Sequence, residues 1–168
     1  MKFLEEFAPF APLADLLKAG GARVTTLAKL PTTHQIALIH YMSVDGAAWA
    51  VGHHAFEDWK WGEGKSDKLR TQQLNDCRKF LPRFLKHFGR SRFGYASVPT
   101  KGLLDVMLKH HPYAREHAKM DYKFNGVYKC PTWPVILIDS FEIIEDGWNR
   151  FFNRMVLNIK MTPVVWYA

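Results

Sequence analysis

The stretch Ser66–Phe88 limits the possible folds more than any other part of the chain. Leu69, Leu74, Cys77, Phe80, Leu81, Phe84, Leu85 and Phe88 recur at helical spacing, so one face of this segment belongs to a core. At about 100° per residue, Lys68, Gln72, Asn75, Lys79, Arg83, Lys86 and Arg90 fall on the opposite face. Pro82 lies toward that solvent side, where its missing N–H and its ring kink the helix or split it in two.

Around this helix the pattern is strand-rich. A short helix is predicted over Leu13–Lys18, with Leu13, Leu16 and Leu17 on one side and Gly20-Gly21 ending it. Arg23–Leu30 reads as a strand. His34–Val44 and Ala47–His53 read as the arms of a hairpin about Asp45-Gly46, and Phe56–Trp61 as a further short strand. Arg92–Val98 reads as a strand, followed by a helix that Pro99-Thr100 opens and that runs through Leu103, Val106, Met107 and His110. A helical turn at Pro112–Ala118 follows, then a second hairpin about Asn125-Gly126. Trp133–Ile144 reads as one strand with the buried run Val135–Ile138 at its centre. Trp148, Phe151, Phe152, Met155, Val156 and Ile159 define a helix whose other face carries Asn149, Arg150, Asn153 and Arg154. Pro163 stops further helix, and Val164–Tyr167 reads as a final strand with an apolar edge open to another subunit.

Strands then helix, twice over, imply an α+β fold: a largely antiparallel sheet with two hairpins and two long amphipathic helices packed on it. The 168 residues suit a single domain, residues 1–168, with an irregular helical insertion at about 92–118. A 48% hydrophobic fraction is enough to build its core. No apolar run approaches the ~20 residues of a membrane span. Glu5, Glu6, Pro9 and Pro12 do not suit a signal peptide, and two cysteines, Cys77 and Cys130, fit a reducing compartment. The expected location is therefore the cytoplasm.

The charge is uneven. The net charge of +7 conceals a basic middle, residues 60–129, with sixteen Lys and Arg against six Asp and Glu. Residues 1–59 and 130–168 each carry a small acidic excess. A basic block between near-neutral ends is the electrostatic footprint of a surface for a polyanion, although basic residues also simply solvate exposed helices.

Signatures of chemistry are sparse. The chain has no Walker-type phosphate loop, no dinucleotide fingerprint, no nucleophile elbow and no Cys-x-x-Cys pair. His53 and His54 precede Glu57 and Asp58, and His110, His111 and His117 cluster with Glu116. Adjacent strand residues point to opposite faces, and histidines at a helix C-terminus are favoured there as cations, so no metal site or cofactor is expected. His53 with Asp58, or Asp139 with Glu142 and Glu145, are the groups an acid–base enzyme would use.

The aromatics favour binding over catalysis. Trp59-Lys60-Trp61 sets two rings on one strand face, and Lys123 lies opposite Tyr128 across the second hairpin. Rings beside cations on a sheet form a platform on which bases stack while Lys and Arg meet phosphates. The expected function is a non-enzymatic protein that binds single-stranded nucleic acid, DNA or RNA. In it Lys68, Lys79, Arg83, Lys86, Arg90, Arg92 and Lys123 contact phosphate, and Trp59, Trp61 and Tyr128 stack. Two alternatives stand beside it: an enzyme acting on a nucleic-acid or nucleotide substrate, and an interaction or inhibitor protein docking its basic helix on an acidic protein.

Overall fold

The computed structural model describes residues 11–44, 81–110, 133–137 and 144–168. Helix α1 spans Ala11–Ala19, strand β1 Arg23–Thr26 and helix α2 Thr32–Val44. Helix α3 spans Leu81–Phe88, strand β2 Arg92–Pro99 and helix α4 Thr100–His110. Strands β3 (Val135–Leu137) and β4 (Ile144–Asp146), helix α5 (Trp148–Val156) and strand β5 (Met161–Tyr167) follow. The strands form one mixed sheet in the order β1-β2-β5-β3-β4. β2 and β5 are antiparallel, as are β3 and β4, whereas β3 and β5 are parallel. Helices with such a sheet make the protein α+β. The chain divides into two compact units, Met1–Val24 with Phe93–Ala168, and Thr25–Arg92.

In the first unit the helices follow from the apolar spacing. Leu13, Ala14 and Leu17 of α1, Leu103, Val106 and Met107 of α4, and Phe151 and Phe152 of α5 share one cluster. That cluster includes Ala96, Val98, Val164, Trp166, Val135 and Leu137, which alternate along β2, β5 and β3 and so occupy one sheet face. The other face carries the row Tyr95, Val165 and Ile136, together with Phe93, whose ring meets Tyr167 edge-on at 5.4 Å.

Two helices end by the same device. Ala22 N–H donates to the Leu17 carbonyl at 3.0 Å and Gly21 N–H to that of Lys18 at 3.1 Å, with Gly21 at φ 73°. Ile159 N–H to the Arg154 carbonyl (2.8 Å) and Asn158 N–H to that of Met155 (3.0 Å) repeat the pattern, with Asn158 at φ 53°. Glycine and asparagine are the residues that enter this left-handed conformation at least cost, and the paired bonds satisfy carbonyls the helix end leaves open.

β5 tolerates a proline inside the sheet for a reason of register. Thr100 N–H donates to the Lys160 carbonyl at 2.8 Å, so in the β2–β5 ladder the hydrogen-bonded pairs are those of even number. Pro99 and Pro163 both fall on non-hydrogen-bonded pairs, opposite Met161 and Ser97. Pro163 also stands one residue before β3 begins its pairing at Val135↔Val164. Its missing donor is therefore not needed on either side.

The second unit corrects the sequence reading most. His34–Val44, expected as a hairpin arm, is helical within α2. Pro31 supplies the first acceptor: His34 and Gln35 N–H donate to its carbonyl at 2.9 and 3.0 Å. His34 through Ile39 are all buried, six in a row, which exceeds one helical turn and covers the whole circumference. A helix buried all round shows no amphipathic period, and its apolar run imitates a strand. The expected strand over Arg23–Leu30 stops at Thr26, where a 3₁₀ turn over Leu27–Lys29 takes over. Gln35 Nε2 clamps that turn by donating to the carbonyls of Leu27 and Ala28, both at 3.0 Å.

Two further corrections concern strands. Trp133–Ile144 is not one strand, because β3 and β4 are separate and pair antiparallel. Val164–Tyr167 is no edge: β5 lies between β2 and β3, so it offers no free strand to a second subunit. The remaining expected elements match well. Arg92–Val98, the helix opened at Pro99-Thr100, and the helix from Trp148 all form where their periodicity places them. Ala47–His53, Phe56–Trp61, Ser66–Phe80, Pro112–Ala118 and the Asn125-Gly126 hairpin lie outside the described residues.

Candidate nucleic-acid interface

α3 is amphipathic as its sequence requires. Phe84 is fully buried, Leu81, Leu85 and Phe88 are half-buried, and the Phe84 and Phe88 rings stack at 6.0 Å. That apolar stripe fixes the orientation of the helix, so its other side must face water. Pro82, Arg83, Lys86 and His87 are exposed there. Pro82 stands in the first described turn, toward solvent, as expected.

Beyond the helix Ser91 N–H donates to the Phe88 carbonyl at 3.0 Å, and the chain turns into β2 with Arg90 and Arg92 exposed. Arg83, Lys86, Arg90 and Arg92 thus present four exposed cations within ten residues. Between Asp76 and Asp105 the sequence has no acidic residue. Along this stretch the chain's own charges are therefore of one sign, which is the kind of pattern that attracts a flexible polyanion whatever its sequence. Lys86 lies in the last turn of α3, where its positive charge meets the negative end of the helix dipole favourably.

Lys68, Lys79, Trp59, Trp61, Lys123 and Tyr128, the other expected contacts, lie outside the described residues, as do His53, Asp58, Asp139, Glu142, Cys77 and Cys130. Among the described residues no three His, Cys, Asp or Glu side chains come together. No helix among them is long and apolar enough to cross a membrane.

Two groups that periodicity overlooks are polar and buried. His34 is 7% exposed, and burial pushes its imidazole down to a pKa of about 4. Its Nδ1 lies 3.2 Å from the Thr33 hydroxyl. Arg154, expected on the solvent face of its helix, is instead 4% exposed. The left-handed turn at Asn158 brings the start of β5 back over α5, and Arg154 Nη1 donates to the Met161 carbonyl at 2.8 Å. Burial first, and the neighbouring Arg150 charge second, hold its pKa below the usual guanidinium value. A helical wheel carries no signal for either residue, because both depend on what folds over them.

Compared with protein-family models, with curated proteins and with solved structures, the chain matches none.

Proposed function

We propose that the protein is a non-enzymatic binder of single-stranded nucleic acid, DNA or RNA, and that the exposed face of α3 with the turn into β2 meets the phosphates. The observation that supports this reading best is the run Arg83, Lys86, Arg90 and Arg92, all exposed in a stretch without acidic residues. Arg83 and Arg92 each present a guanidinium suited to bidentate phosphate contact, and Lys86 acts as a mobile point charge between them. Trp59, Trp61 and Tyr128 complete the reading as stacking groups, each base stacked adding about 1–3 kcal/mol. Lys68, Lys79 and Lys123 extend the basic track.

Four phosphate contacts to a single strand predict a log–log salt slope of about −3, since each contributes roughly 0.7. Changing Arg83, Lys86 and Arg90 together to Glu is expected to weaken binding of a labelled single-stranded oligonucleotide about a hundredfold or more, with the fold retained by circular dichroism. Fluorescence anisotropy across a salt series, with single-stranded DNA, single-stranded RNA and duplex, reads both numbers. Flat curves for all three at low salt would remove nucleic acid as the ligand and leave an acidic protein as the partner of this helix.

A further inference from the structure

α5 carries two arginines one turn apart, and among the described residues nothing of opposite charge meets the inner of the two. Arg154 is 96% buried by its 4% exposure, donates through Nη1 to a single carbonyl, and keeps its Nε buried without a hydrogen-bond partner. A guanidinium does not escape such a position by losing its proton at neutral pH. Burying it therefore costs free energy unless an anion or further acceptors meet it.

Arg150 adds to the positive field. Its guanidinium is set against Gly147, where a Cβ would lie 2.8 Å from Nη2 and 3.1 Å from Cζ and Nε. Gly147 also holds φ 98°, so both its conformation and its bareness make room for the arginine. From there the Arg150 guanidinium lies over the Trp133 ring, 5.8 Å from its centroid, within cation–π range. Trp133 is itself buried, and so the ring restricts where that guanidinium can go. Arg154 senses the neighbour: besides burial, the Arg150 charge is what disfavours its protonated form. Arg150, one turn earlier on the same helix, thus places a second positive charge near the buried one.

We infer that Arg154, with Arg150 beside it, forms a binding site for a small tetrahedral oxyanion, phosphate in the first instance, which supplies the acceptor that the buried Nε lacks. The site belongs to the unit that holds the sheet and does not depend on the α3 face. The oxyanion is free phosphate or the terminal phosphate of a small molecule. A strand without terminal phosphates does not fit, because an internal diester is flanked by sugars on both sides.

Thermal unfolding tests this with inorganic phosphate against sodium chloride at matched ionic strength. Tens of millimolar phosphate should raise the Tm of the unaltered protein by about 3–5 °C more than chloride, as mass action requires for a ligand of about millimolar affinity. Arg154→Met should lose that increment, whereas the Arg83, Lys86 and Arg90 charge-reversal variant should keep it. An oligonucleotide without terminal phosphates should not reproduce the increment in the charge-reversed protein. If Arg154→Met does not fold, Arg150→Met decides, and it should reduce the increment at least by half. Phosphate acting no better than chloride on the unaltered protein, or an undiminished increment in whichever arginine variant folds, would overturn the inference.

Discussion

Gly94→Ala is expected to destabilise the protein by about 3 kcal/mol and to lower its Tm by roughly 10 °C. Gly94 pairs with Trp166 across the β2–β5 ladder, on the face that meets the helices. The indole lies flat over the glycine, and a Cβ there would overlap Cε2, Cζ2 and Nε1 of the ring. Trp166 is 1% exposed and belongs to the main core cluster, so the ring has nowhere to retreat. Alanine has the better strand propensity, which makes the sign of the effect a test of packing alone.

The cycle with Trp166→Leu isolates the contact. Leucine at 166 should itself cost about 2–4 kcal/mol by leaving a cavity. Once the indole is gone, adding alanine at 94 should cost little or nothing more. Chemical denaturation of the four proteins yields the coupling energy. Strict additivity of the two substitutions would show that the ring does not depend on the bare backbone beneath it.

Acid should weaken the fold through His34 before most carboxylates respond. Its folded pKa of about 4 lies below the ordinary value of 6.5, so the imidazole is neutral in the folded protein. Between those values the unfolded chain binds the extra proton and the folded one does not. The stabilisation is therefore fully present above pH 6.5, falls as the pH drops toward 4, and no longer changes below it. At 1.36 kcal/mol per pH unit, the loss through this group reaches about 2 kcal/mol by pH 5 and on the order of 3 kcal/mol in all. His34→Gln keeps a polar group in place and removes the titration. Denaturation midpoints at pH 7.5, 6 and 5 should show the unaltered protein losing about 2 kcal/mol more than the variant. Parallel pH profiles would mean that His34 accepts its proton without disturbing the fold.

The sequence reading succeeded where a single period governs one face. β2 alternates along its length and is closed by Pro99-Thr100, and α5 repeats its aromatic residues at helical spacing, so both form as expected. It failed where burial is all-round or where a turn redirects the chain. Ile36 through Ile39 give no period because every side of α2 is covered. Arg154 belongs by angle with Arg150 on the outer side of α5, and only the turn at Asn158 takes it indoors. Val135–Leu137 and Ile144–Asp146 read as one strand because no glycine or proline between them marks where the chain folds back. The basic face was legible because α3 announces its buried stripe so clearly that the remaining side has one destination.

The position of β5 has a consequence for synthesis. It is the last of the described strands to leave the ribosome, yet it joins β2 to β3 from the middle of the sheet. Until Met161–Tyr167 emerges, the two halves of the sheet have no strand in common. Trp166 cannot cover Gly94, and Val164 cannot enter the core that α1, α4 and α5 share. Until then the edges of β2 and β3 that receive β5 lack their partner strand. This unit closes only after its central strand has been made, and its pairings are of long sequence separation, which makes closure slow relative to the helices that precede it.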